Sequence, residues 1–167
     1  MSPSTNDSAL HSALQTLHAE LRAQVAEARR LAANPSGDAA PVGLETVHAF
    51  FSGVWPHYVA AKQALVTRLA GRDGAVDGLL DEVRRGIDEQ RVLVDRLVTL
   101  TTAGTATSTW SDRAVELGAV SATLERRFDE ELSDEERLVH PALGRLLDLT
   151  EQGDLASAFG RAAQAAS

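Results

Sequence analysis

Glu131 and Glu135 stand one helical turn apart within LERRFDEELSDEERLVHPALGRLL, residues 124–147. On alternating steps of four and three they share a line with Leu124, Phe128, Leu138 and Ala142, and such a line is the stripe a helix turns toward a core. An ionised carboxylate buried without a partner costs several kcal/mol or takes up a proton, so a metal ion or a basic side chain has to answer this pair. Two carboxylates so close in an apolar setting also push one pKa upward, into the range where a carboxyl group can give and take protons. Lys62, the only lysine in the chain, is a candidate counter-ion. Against that stands the commoner habit of lysine, which buries its stem and leaves its ammonium in water.

The other polar residues on apolar lines are His18, between Leu14 and Leu21, and Gln90, the one polar member of Leu80, Val83, Ile87, Gln90, Val94 and Leu97. His57 flanks the line Val47, Phe51, Val54, Tyr58, Ala61, Leu65 and Leu69. If the middles of the helices meet at one level, His18, His57, Gln90, Glu131 and Glu135 converge there. Inward carboxylates and imidazoles are how helical bundles build iron and manganese sites. The structural alternatives carry comparable weight: His18 as a core histidine bonded to Glu131 or Glu135, and His57 as a partner for the carbonyl that Pro56 frees. Trp55 and Tyr58 are core aromatics or the lining of a pocket entrance. His140 reads as a surface partner of Glu136 four residues earlier, and His11 and His48 as solvated residues near helix ends.

Four amphipathic helices must position these groups. The spacing of apolar residues predicts them over about 10–33, 44–70, 76 or 79 to 100, and from Ser111 or Asp112, as cap, to a stop at Gly153. Residues 1–8 are expected to be disordered, 34–43 and 71–78 to be turns, and 101–110 to be a Thr-rich loop. Pro56 should kink its helix or open a turn beside His57, and Pro141 should bend its own. The bundle occupies 9–152. Residues 153–167 form a tail or short helix whose Leu155 and Phe159 cover an open edge, unless Phe159 is exposed and pairs two copies. The prediction is an all-α, up-down-up-down antiparallel four-helix bundle.

Composition agrees. Hydrophobic residues make up 44% and aromatics only 4%, which suits helices better than sheets. A net charge of -8 offers no basic stripe for nucleic acid. The absence of cysteine leaves only His, Glu and Asp to hold a metal. Neither a signal sequence nor an apolar run of membrane-spanning length is present, so a cytoplasmic location with no membrane partner is expected.

The order of these elements resembles the hemerythrin-like, or HHE cation-binding, family. LHAELR supplies the first-helix His as His18, WPHYVAAK the second-helix His as His57, DEQRVLVDRL the third-helix stretch, and ELSDEERLVHPAL the fourth, with Glu135 at the ligand Glu. The resemblance spans roughly 9–149 and implies the same bundle and a di-iron centre. Its ligand set is degenerate: Ala61 followed by Lys62 stands where the second-helix Glu belongs, Gln90 replaces the third-helix His, and Glu131 the fourth-helix His. Three readings follow. A single iron or manganese ion is held by His18, His57 and one or both of Glu131 and Glu135, for small-ligand or redox chemistry, with Gln90, Lys62 and Tyr58 around the ligand. Or no metal binds, and Glu131, Glu135 and His57 do acid–base work on an organic molecule in the core, with Lys62 balancing the carboxylates. Or the cluster is a satisfied remnant in a structural or protein-binding bundle, monomeric or homodimeric.

Overall fold

A computed structural model describes residues 5–34, 40–102 and 110–165, with the backbone alone at 5–8, 40 and 41. Among the described residues every regular element is a helix, and there is no strand. The elements are α1 (Thr5–Ala33), α2 (Ala40–Ala49), a π turn (Phe50–Val54), α3 (Trp55–Leu69), α4 (Gly74–Thr101), α5 (Trp110–Asp134), a second π turn (Glu135–Val139), α6 (His140–Leu146) and α7 (Leu149–Gln164). α1 packs against α5 and α7, α5 against α4, α4 against α3, and α3 against α7. One core fills the interior, from Leu10 and Leu14 through Phe51, Tyr58, Ile87 and Phe128 to Phe159.

Each π turn ends just ahead of a proline. Pro56 and Pro141 lack the N–H that would close an α turn on the Ser52 and Arg137 carbonyls, and their rings crowd those carbonyls. The chain answers by widening the preceding turn: the Trp55 N–H reaches Phe50 O and the His140 N–H reaches Glu135 O. This is the opened turn expected beside His57, and it recurs where only a bend was expected at Pro141. Such a turn inserts one residue and rotates everything after it by about 100° relative to an unbroken α-helix.

That rotation corrects the fourth-helix stripe. Leu138, predicted to face inward, is 39% exposed, whereas Val139 and His140 are 4% and 5% exposed. His140 is therefore a core residue and not a surface partner of Glu136.

Several boundaries also move. Thr5–Ser8 belong to α1, and residues 1–4 of the expected disordered segment lie outside the described residues, as do 35–39 and 103–109 of the two predicted loops. Asp73 caps α4 by accepting from the Ala75 N–H, which starts that helix ahead of Val76. Before it, Gly71 takes φ 76°, a conformation that favours glycine. α6 stops at Leu146, and Gly153 lies inside α7 instead of closing the fourth helix. Asp148 and Glu151 form a capping box that sets the start of α7. Leu155 and Phe159 are fully buried (1% and 0% exposed), so α7 is part of the core, and Phe159 presents no surface to a second copy.

Candidate functional site

Lys62 and Glu135 form an ion pair at the centre of the molecule. Lys62 Nζ lies 2.5 Å from Glu135 Oε1, with the side chains 2% and 8% exposed. Lys62 follows Tyr58 by one turn of α3, and its ammonium sits 5.3 Å from the centre of the Tyr58 ring, within cation–π range. Burial opposes the charge on Lys62, but Glu135 and the Tyr58 hydroxyl outweigh it and hold the lysine protonated, its pKa above the ordinary value. Burial pushes the Glu135 carboxyl upward, while the Lys62 ammonium pulls it back.

Beyond Tyr58 the polar chain continues to α1. His18 is fully buried; its Nε2 lies 3.2 Å from the Tyr58 hydroxyl and its Nδ1 2.8 Å from Glu136 Oε1. The carboxylate beside Nδ1 requires a proton there, so Nε2 accepts from Tyr58. Arg22, one turn after His18, donates to the same Glu136 oxygen at 3.1 Å. Burial and the nearby Lys62 charge lower His18 to about 3, against the opposing pull of Glu136, so the ring is neutral at physiological pH. Burial likewise raises Tyr58. These groups hold their protons in place, and the network fixes the orientation of Tyr58 and Lys62.

Glu131 sits at the rim, its side chain 23% exposed. It accepts from Gln90 Nε2 on the inside and from Arg127 at 3.4 Å on the outside, and Arg127 is also paired with Glu89 at 2.6 Å. Burial raises the Glu131 carboxyl, against Lys62, Arg127 and Gln90. Both carboxylates line a cleft of about 60 Å³ between α4 and the second π turn, together with Leu79, Glu82, Val83, Asp134 and Val139. A cleft that small admits only the reacting end of a molecule.

The five residues expected to converge are only partly brought together. Glu131, Glu135 and Gln90 meet near the cleft; His18 is behind Tyr58, bonded to Glu136 and not to Glu131 or Glu135. His57 is exposed on the outer face of α3, because Tyr58, Ala61 and Lys62 take the inner one. It joins no site with the others. Lys62, expected more often at a surface, is buried. His48 is half-buried, its Nδ1 3.3 Å from the Val98 carbonyl. Sequence reasoning missed Glu136 and Arg22 as partners of His18, although the i,i+4 spacing of His18 and Arg22 was a signal for a shared anion.

The residues present do not fit the metal centre that the resemblance implies. Among the described residues no three His, Asp or Glu side chains are grouped as ligands. Both His18 nitrogens are engaged, and the Lys62 ammonium occupies the cationic position beside Glu135. A metal ion there would face a fixed positive charge at close range. No family model matches the chain, and no curated protein or solved structure matches it either.

Proposed function

We propose that this chain is a metal-independent acid–base enzyme acting on a small neutral or cationic organic molecule whose reacting end enters the cleft between α4 and the second π turn. The observation that carries the reading is the Lys62–Glu135 pair, buried at 2.5 Å, with Glu135 also forming part of the cleft wall. Glu135 accepts a proton from the substrate, and Glu131, one turn away on the same face, relays one from solvent at the cleft mouth to a second substrate atom, while solvent takes up the proton that Glu135 releases. Lys62 keeps the charge of the site balanced through the step. Glu82 and Asp134 on the same wall repel anions. The reading includes an up-down-up-down arrangement of the four long helical rods, similar to the hemerythrin-like bundle with α7 added, and a cytoplasmic location.

Its test uses 5-nitrobenzisoxazole, a neutral reporter whose ring opens when a base removes one C–H proton. Saturable ring opening by the purified protein, lost in Glu135→Gln and unaffected by chelator, is the expected result. A rate no greater than that of free carboxylate, or a stoichiometric metal whose removal abolishes the activity, overturns the reading.

A further inference from the structure

We infer that Gly86 is a positioning residue, the notch in α4 that seats the Glu131 carboxylate against Gln90 on the cleft wall. The inference rests on the acid–base reading in treating Glu131 as a working group; the notch itself stands on geometry. Gly86 is buried in the interior of α4, where glycine weakens a helix relative to alanine. Its backbone does not require glycine, because Gly71 is the only residue with a positive φ among those described. What it provides is room. A methyl carbon built on Gly86 overlaps Glu131 Oε2 and lies 2.9 Å from Glu131 Cδ, closer than non-bonded carbons approach.

Gln90 follows Gly86 by one turn on the same face of α4, fully buried, and donates to the oxygen that occupies the notch. Arg127 holds the other oxygen from outside. A side chain at position 86 therefore moves the Glu131 carboxylate, the end of a flexible side chain, out of the notch and takes the acceptor from the Gln90 amide inside the core. Glycine here trades helix stability for the position of one carboxylate, a trade found at functional sites.

Gly86→Ala tests this, made in the wild-type chain and in a Glu131→Ala chain, with Glu131→Ala alone as reference. Alanine is expected to raise the melting temperature in the Glu131→Ala background and to leave it unchanged or lower it in the wild type. The side-chain amide resonances of Gln90 should move, and the ¹³C titration midpoint of Glu131 should shift more than that of Glu135. An equal rise in both backgrounds with the Gln90 resonances in place overturns the inference. Should Gly86→Ala fail to fold while Gly86→Ala/Glu131→Ala folds, the conflict with Glu131 is the cause and the notch is supported; if both fail, it is refuted. Inactivity of the wild type toward the reporter would sink the acid–base reading alone, since the melting and amide measurements do not depend on it.

Discussion

Lys62→Met removes the ammonium that answers Glu135 while keeping most of the side-chain volume. At 2.5 Å the gross attraction is about 7 kcal/mol with an effective dielectric constant near 20, most of it offset by the cost of taking both charges out of water. Removing one partner is different, because the remaining carboxylate keeps its desolvation cost with nothing to balance it: about 3–5 kcal/mol of stability. In a chain of this size that corresponds to a fall in melting temperature of roughly 10–15 °C. The loss also depends on pH. Burial already raises the Glu135 carboxyl, and Lys62 opposes that rise; without Lys62 the folded-state pKa climbs further above its unfolded value. The folded form then binds the proton more tightly than the unfolded form, so the deficit shrinks as pH falls and deepens as pH rises. Lys62→Met/Glu135→Leu is expected to recover to within about 1 kcal/mol of the wild type or to exceed it. Urea unfolding followed by circular dichroism at pH 5 and pH 8 measures all of this. A Lys62→Met loss below about 1 kcal/mol, the same at both pH values, would refute the picture of a desolvated pair; a double variant as unstable as Lys62→Met would show that the two charges do not answer each other.

The other predictions concern histidine and α7. Among the described residues neither ring nitrogen of buried His140 has a hydrogen-bond partner, and its ring lies 5.4 Å from that of His11 and 5.6 Å from that of His18; His140→Leu should be neutral or stabilising at pH 7, by up to about 2 kcal/mol. Burial foremost holds His140 at about 4 and His18 at about 3, against 6.5 unfolded. The unfolded chain therefore binds more protons, and stability is lost as pH falls below about 6.5, by roughly 3–4 kcal/mol from the two rings between pH 7 and pH 5, partly offset by the raised Glu131 and Glu135. His140→Leu should remove about half of that slope in urea titrations; an unchanged slope would contradict the buried, neutral state of the ring. Phe159→Ala should cost about 3–5 kcal/mol, and Asp148→Ala about 1 kcal/mol; a melting temperature unmoved by Phe159→Ala would return α7 to the status of a peripheral tail.

How much was readable in advance differs from element to element. The helical lines through Leu10–Leu31, Val47–Leu69 and Leu80–Leu97 stand in the structure as buried faces, because an amphipathic period of 3.6 is a local property that one sequence displays in full. The apolar line through Glu131 and Glu135 likewise announced that a cation must stand near them, since the cost of an unanswered buried carboxylate does not depend on the fold. Prolines 56 and 141 announced a disturbed turn for the same local reason.

Which cation answers, and which histidines turn inward, only the tertiary structure decided. The second π turn adds a residue to its helix, so the inward phase passes to Val139 at its end and His140 at the start of α6 and leaves Leu138 at the surface; on α3 the line through Tyr58 holds, Lys62 joins it and His57 faces out. A shift of one residue leaves no mark in a periodicity read on one side of it. The notch at Gly86 was equally invisible: its reason is the carboxylate of Glu131, forty-five residues away in the chain and in the same space only once α4 and α5 are packed. The sequence by itself determined the helices, their apolar faces and the need for charge balance, all set by neighbours within a few turns; the pairing of Lys62 with Glu135, the burial of His140 and the role of α7 came from contacts between helices, which local spacing does not encode.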